Sequence, residues 1–583
     1  MKATSENLDQ HINAVDYVTG RPTSAERQAM ETHLADCAHC QAAVEAVSNV
    51  EANQVGQNTR ALVGYVAGML VSTIMLVAPI ANQLTQPLPP SEPEDAAFEK
   101  PFFEPLRVLQ PRITARANKM RRFVGRFGIV LILTIIVLLL PRPDGLSEAG
   151  QHALAAFVFT GSILALEPVS LPIAALMVPL ALVALNVADT TEAFESFSRP
   201  VVFLILASLF IAEGLRKHGL TRRLALQTLV AAGGKVSLIL LGIMLIAGLF
   251  SMWVENTATA AVLIPVALTV ASQVPDPQKA KGLLILLVMG IAYSASLGGM
   301  ATVMGAGSNA VAAGFLTEII PFSFIDWMMY GLPAFLLLFP VTWILLLRLI
   351  KVDIDQIDVE TVQRQLKEMG PMSVAERELS GVLLVTIVLW VGGSFLEPAL
   401  GLPNTLLAPA MVAIMAVSYL AIRGIINWED VKGVSWGIFF MIGAGLALGA
   451  ALSRTGATDW IAELISPIVS GPPLLLSLLL LVFISALLTN VMNNTTIAAV
   501  FVPILISLAL TDPTLNPVLL VMAVTLATTF GYSLPSASGR MALVSASGII
   551  APRDMMRYGL VATTISAVIL GLFFYLISVL NLI

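Results

Sequence analysis

From Phe127 to Ile583 one apolar run follows another with only short breaks, a succession that few folds can absorb. A helix needs roughly 20 apolar residues to cross a hydrocarbon layer, and several of these runs approach that length. Only 12% of the 583 residues are charged, against about 25% in an ordinary soluble domain. So few charges cannot dress a soluble surface of this size, and lipid must cover much of the chain. The mean hydropathy of +0.85 agrees. A net charge of −6 offers no basic footprint, so no nucleic-acid partner is expected. Two cysteines, Cys37 and Cys40, exclude a disulfide framework. The first apolar run starts at Ala61 behind polar residues, so no ordinary signal peptide is expected.

The membrane part is written twice. Asn256-Thr257-x-x-Ala260-Ala261-Val262-x-x-Pro265 returns 238 residues later as Asn494-Thr495-x-x-Ala498-Ala499-Val500-x-x-Pro503. Leu215-x3-Gly219-x-Thr221 returns after 237 as Leu452-x3-Gly456-x-Thr458. Leu166-Glu167-Pro168 returns after 230 as Leu396-Glu397-Pro398. Generic membrane composition would not keep polar residues in register. Internal repeats in a polytopic chain point to a transporter whose site lies where the repeats meet. The expected organisation is a helical module at 1–60, an apolar helix at 61–82 and a linker with a basic stretch at 83–126. Repeat 1 then covers 127–350, a polar connection 351–379, and repeat 2 380–583.

Lys and Arg set the orientation. The basic stretch 107–126, the segment 216–223 (RKHGLTRR) and the polar break 348–377 should all be cytoplasmic. The expected fold is an all-α polytopic membrane protein with inverted repeats and re-entrant hairpins. It has about 11 transmembrane helices, some six before the central loop and five after, plus one extra N-terminal apolar helix.

Asn-Thr inside an apolar segment is expensive unless partnered. Two occurrences at repeat-equivalent positions suggest one composite site built from Asn256, Thr257, Asn494 and Thr495. Their oxygens suit hard cations and their hydrogens suit anion oxygens. The helix starts that follow would aim backbone N–H groups at an anion. Each motif precedes a Gly/Ser-rich stretch: Ser296, Gly298, Gly299, Thr302, Gly305, Gly307, Ser308 and Asn309 in one half, Ser533, Ser536, Ser538, Gly539 and Arg540 in the other. Such composition breaks a helix and frees carbonyls to ligate an ion, although a small-residue helix interface would look the same.

The series WVENTATAAVLIP, SLGGMATVMGAGSN, NWEDVKGVSWGIFFMIGAGLAL, NNTTIAAVFVP and SLPSASGR resembles the divalent anion:sodium symporter family over about residues 127–583. The resemblance implies a homodimer in a bacterial inner membrane, an elevator movement, and dicarboxylate or sulfate substrates driven by sodium. That family carries Ser-Asn-Thr twice, whereas Glu255 and Asn493 stand here where the serines would be. Its Thr-Pro-Pro-Asn becomes Ala306-Gly307-Ser308-Asn309 in one half and Ser538-Gly539-Arg540-Met541 in the other. A carboxylate about 4 Å from a bound anion repels it by roughly 4 kcal/mol at an effective dielectric near 20. Arg540 would offset that, or hold the anion with its planar fork. The coupling ion is therefore sodium, or a proton if Glu255 takes part. A carboxyl filling a polar pocket and an arginine reaching an interface are the plainer readings.

A second resemblance lies in the N-terminal segment. His33-x3-Cys37-x2-Cys40, preceded by Asp16-Tyr17 and Ser24-Ala-Glu26-Arg27, is similar to the zinc-binding anti-sigma-factor module over about residues 11–45. It implies zinc on His33, Cys37 and Cys40, with His11 or His39 as fourth ligand and a sigma factor or other protein as partner. If 61–82 crosses fully, this module lies outside the cytoplasm; otherwise that run lies in or re-enters the membrane. The leading function is secondary transport of small anions across the lipid bilayer. The alternatives are a cation/proton antiporter of the same broad fold and a transporter-like sensor regulated through the zinc module. No nucleophile–base or phosphate-binding motif argues for an enzyme.

Overall fold

A computed structural model describes residues 123–583 apart from Pro513, Ser547 and Ile583. His11, His33, Cys37, Cys40 and the apolar run 61–82 lie outside the described residues, as does the linker up to residue 122. Among the described residues every regular element is a helix, with one isolated bridge between Lys235 and Gln356.

Helix α1 (Phe123–Leu139) leads into the first half. There follow α2 (Glu148–Leu166), α3 (Leu171–Ala184), the short α4 (Thr190–Glu195), α5 (Pro200–Lys217), α6 (Leu220–Ala231), α7 (Val236–Ser251), α8 (Asn256–Ala271), α9 (Pro277–Met300), α10 (Gly307–Ile319) and α11 (Phe324–Leu349). The polar connection holds α12 (Glu360–Glu368). The second half then repeats the order with α13 (Val374–Leu400), α14 (Pro409–Ile422), the short α15 (Trp428–Val431), α16 (Trp436–Arg454), α17 (Ala457–Val469), α18 (Leu474–Leu488), α19 (Asn494–Thr511), α20 (Pro517–Ala527), α21 (Gly539–Ala546) and α22 (Pro552–Val579).

Local chemistry repeats with the order. The short helices α4 and α15 each start with a reciprocal capping box, Asp189 with Glu192 and Asn427 with Asp430. Helices α6 and α17 each start at a left-handed glycine, Gly219 at φ 72° and Gly456 at φ 74°, a conformation that side chains other than glycine rarely adopt. Helices α8 and α19 each carry an internal proline, Pro265 and Pro503.

Packing between the halves is reciprocal. Helix α3 lies on α16 and α14 lies on α5; α8 meets α21 and α10 meets α19. Within each half, α7 and α8 pack on α9 as α18 and α19 pack on α20. Ion pairs follow the same rule. Lys217 at the end of α5 reaches Asp430 of α15 at 2.6 Å, and Arg454 at the end of α16 reaches Glu192 of α4 at 2.7 Å. Such exchange of partners is the mark of a pseudo-two-fold relation between repeats.

Among the described residues seven helices are long and apolar enough to cross a membrane, and the pair Thr190–Ser198 with Pro200–Lys217, bent by 48°, would make eight. They are not equally placed. In α9, 89% of the best apolar stretch is buried within the protein, whereas in α13 it is 22%. Leu384, Val385, Val388 and Phe395 of α13 are exposed, which suits a lipid-facing helix. The centre is thus α9 with the hairpins around it, and the periphery is apolar. These features make the chain an all-α integral membrane protein.

Candidate functional site

Helix α7 ends at Ser251 and α8 starts at Asn256, so the Asn-Thr motif opens a helix after a four-residue turn. Glu255 is its cap. Its Oε2 accepts from Thr257 N at 2.8 Å and Ala258 N at 3.1 Å, and Thr257 Oγ1 donates to Oε1 at 2.9 Å. A carboxylate suits this place because the first N–H groups of a helix have no partner and carry partial positive charge. In the second half Asn493 caps α19 in the same way, accepting from Thr495 N at 2.9 Å. Glu255 and Asn493 are therefore equivalent caps. The donors expected to face an anion at α8 are already taken by a resident carboxylate.

Asn256 is buried, and its amide turns into the break after α9. Oriented to satisfy its surroundings, its nitrogen donates to Ala295 O and Gly305 O at 3.0 Å and to Ser251 Oγ at 2.5 Å. A methyl group on Gly299 would overlap this amide, and one on Gly298 would overlap the backbone of Gly248. Glycine at these positions lets α7, α8 and α9 come together. Asn309 at the start of α10 completes the cradle, donating from Nδ2 to Gly299 O and Thr302 O at 2.8 Å each. Ser308 beside it is fully buried, with its Oγ 3.4 Å from Asn309 Oδ1.

The second half keeps the break and changes the chemistry. Helix α20 ends in a tight turn, Thr528–Phe530, and Ser536 lies in another, Pro535–Ala537, before Ser538 leads into α21. Asn494 is half-buried, and its Oδ1 accepts from Thr495 N at 2.8 Å rather than gripping the break. That task falls to Asn490, whose Nδ2 donates to Ala486 O at 2.7 Å while its Oδ1 accepts from Ser533 N at 2.8 Å. Arg540, 2% exposed, donates from Nη2 to Thr529 O at 3.0 Å and Gly531 O at 3.4 Å. Arg540 and Glu255 make no direct ion pair among the described residues.

The halves meet at their motifs. A methyl group on Gly307 of the first half would collide with Thr495 of the second, and one on Gly539 of the second with Thr257 of the first. Each Asn-Thr helix start thus abuts the helix start that follows the opposite break. A small cleft opens here, lined by Glu255, Trp253, Gly307 and Ser208 of the first half and Ile438 of the second. Tyr293 and Tyr532 stack between the breaks with centroids 4.3 Å apart, both rings fully buried. The Tyr293 hydroxyl, those of Ser296 and Ser533, and Arg540 Nε have no hydrogen-bond partner among the described residues. Buried polar atoms are nearly always paired, so these are the polar groups available to a ligand between the breaks. Asn490, Tyr293 and Tyr532 were not singled out from the sequence. Asn490 carried the same signal as Asn494, an amide inside an apolar run. Among the described residues no group of three or more His, Cys, Asp or Glu could hold a metal ion.

A family model described as the sodium:sulfate symporter transmembrane region matches residues 121–580. A Haemophilus influenzae protein described as an uncharacterized transporter is 30% identical over 460 residues, covering 77% of this chain and 96% of its own length. The sodium-dependent dicarboxylate transporter SdcS of Staphylococcus saprophyticus is 28% identical over 488 residues, covering 79% and 92%. SdcS of Staphylococcus aureus is 28% identical over 474 residues, covering 77% and 90%. Among solved structures, the YdaH transporter of Alcanivorax borkumensis aligns with a TM-score of 0.45 at 15% identity, over 66% of this chain and 87% of that one.

Proposed function

This chain belongs to the sodium:sulfate symporter family and is a secondary active transporter of small anions, from which premise we propose that it carries a dicarboxylate or sulfate through one composite site shared by its halves. Catalysis is not its work, and as an integral membrane transporter its place is a bacterial inner (plasma) membrane. The observation that carries the proposal is the pair of reciprocal contacts, Gly307 on Thr495 and Gly539 on Thr257. They support a site framed by Glu255, Asn256, Thr257, Gly298, Gly299, Ser308 and Asn309 from one repeat. Asn493, Asn494, Thr495, Ser536, Ser538 and Arg540 frame it from the other. Dicarboxylate is favoured by the staphylococcal relatives, which are described as sodium-dependent dicarboxylate transporters.

The proposed topology has about eleven crossings. Helices α1, α2, α3, α5, the broken α9–α10 and α11 come before the polar connection; α13, α14, α16, the broken α20–α21 and α22 come after it. Helices α7 and α8, of 16 residues each, form one re-entrant hairpin, and α18 and α19 form the other. Counted from α2, each copy has five crossings, and an odd number inverts the second copy; the reciprocal packing supports that. An elevator movement and a homodimer rest on the resemblance read from the sequence. Zinc on His33, Cys37, Cys40 and His11, with a sigma factor or similar protein as partner, rests on that spacing alone.

Sodium is the coupling ion that the relatives suggest; a proton is the second reading, and Glu255 in the cleft favours it. Reconstituted protein should take up succinate or sulfate down an imposed ion gradient. Asn256→Ala and Asn494→Ala should each abolish that uptake at equal membrane levels. Full uptake by either variant would refute the shared site.

A further inference from the structure

Both halves break a helix inside the protein, and both breaks leave carbonyls without helical partners. In the first half neutral amides hold them: Asn309 takes Gly299 O and Thr302 O, and Asn256 takes Ala295 O and Gly305 O. In the second half the order Gly539-Arg540-Met541 replaces Gly307-Ser308-Asn309, so no amide stands at the matching place. The carbonyls of Thr529 and Gly531 receive the guanidinium of Arg540 instead. These oxygens lie just past the end of α20, the end of a helix where partial negative charge gathers and cations are favoured. Freed carbonyls at such a break are the groups that coordinate a coupling cation in broken-helix transporters.

A guanidinium is always protonated and has no acceptor atom. Buried at 2% exposure, it fixes a full positive charge at those oxygens. One nitrogen, Nη2, donates to both carbonyls, as a single ion placed there would be shared by them. We infer that Arg540 is a built-in cation which occupies the ion position of the second half, so that this half binds no sodium. The inference rests on the ion-coupled transport reading and narrows it: at most one sodium, at the first break, accompanies the anion. Arg540 Nε, buried and unpaired, is then the donor left for an anion oxygen. The other charged or titratable groups nearby are Glu255 and Tyr532. The Glu255 carboxyl lies in the opposite half, so the site carries one acidic and one basic side chain.

The test counts sodium in the purified full-length protein. Equilibrium binding of radioactive sodium and thermal shifts are measured in sodium chloride against choline chloride at constant ionic strength. Wild type, Arg540→Ala and Arg540→Asn are compared, and guanidinium ion at low millimolar concentration is the second probe. Wild type should bind one sodium per chain or none. Either variant should gain one sodium site, or a stabilisation by guanidinium, that wild type lacks, and the Hill slope of its sodium-driven uptake should rise by about one. Two sodium ions per wild-type chain would overturn the inference. So would a folded variant that gains neither sodium nor guanidinium binding. Should both variants fail to fold, the wild-type count alone decides. Binding is read without transport, so absence of anion uptake would sink the transport reading and leave the sodium count intact.

Discussion

Replacing Gly539 with alanine puts a methyl carbon 2.7 Å from Thr257 Oγ1 and 2.8 Å from Thr257 Cγ2. Non-bonded heavy atoms meet favourably at about 3.5–4.0 Å, so the contact is short by most of an ångström. Thr257 cannot simply swing away, because its hydroxyl donates to Glu255 Oε1 at 2.9 Å and its backbone N–H is held by the same carboxylate. Either α21 withdraws from α8, or the side chain rotates and gives up a hydrogen bond to an ionised group. Overpacking of this kind costs about 1–3 kcal/mol, and a hydrogen bond to a charged group contributes about 1.5–3 kcal/mol. Only one of the two is lost, so about 2 kcal/mol is expected, roughly thirtyfold in anion affinity if it falls on the bound state. Alanine inside a helix is otherwise favoured over glycine by roughly 0.5–1 kcal/mol, so the predicted sign runs against the backbone effect. The assay is a double-mutant cycle with Thr257→Ala, reading anion-dependent thermal shift and initial uptake at equal protein levels. Thr257→Ala removes both colliding atoms, so Gly539→Ala should cost nearly nothing on that background. Additivity within about 0.5 kcal/mol, or full affinity in Gly539→Ala alone, would refute the reasoning. Gly307→Ala, whose methyl would meet Thr495 Oγ1 at 2.6 Å, should behave alike with Thr495→Ala.

Arg223 grips Glu376 with two bonds, Nε at 2.7 Å and Nη2 at 3.2 Å, with side chains only 6% and 4% exposed. Glu376→Ala leaves that guanidinium buried without its counter-charge, held by the carbonyls of Gly370 and Met369, so stability should fall by about 3–5 kcal/mol; a loss under about 1 kcal/mol in denaturant unfolding would contradict the burial. Glu255→Gln keeps a cap oxygen for α8 and removes the charge. If Glu255 carries the coupling proton, wild-type uptake should rise as the entry side is acidified and the variant should be flat with pH, whereas strict sodium dependence with an unchanged pH profile in the variant would exclude proton coupling through this residue. Purified full-length protein should contain close to one zinc per chain, lost in Cys37→Ser/Cys40→Ser, and metal analysis finding none would remove the N-terminal module.

The repeat was legible because the residues that define it act locally. Gly219 and Gly456 mark left-handed helix starts, and Asn-Thr after a short turn marks a capped start, whatever surrounds them. The partners of those residues were not legible. Asn256 and Asn494 occupy the same place in the same motif, yet the first amide donates into the break after α9 and the second accepts from its own neighbour Thr495. The difference comes from residue 490: Asn490 already fills the amide position of the second break, whereas Met252 at the matching place cannot. Likewise the stacking of Tyr293 on Tyr532 joins residues 239 apart and depends on how the halves face one another. Periodicity and spacing report single elements and are blind to such contacts.

The two charged departures, Glu255 and Arg540, have a consequence that neither has alone. A site made of two identical halves offers two helix starts of partial positive charge and two helix breaks of partial negative charge. Here one start is occupied by the Glu255 carboxylate and one break by the Arg540 guanidinium. The start of α19 is capped instead by the neutral Asn493, and the carbonyls of the break after α9 are held by the neutral amides of Asn309 and Asn256. On the reading proposed above, the anion would sit toward the second half, where the α19 cap is neutral and Arg540 supplies positive charge. On the same reading a mobile cation would sit toward the first half, on the side of the Glu255 carboxyl. Pseudo-symmetry in the backbone is thus converted by two residues into a polar site with distinct ends, and each end carries the resident charge that suits its guest.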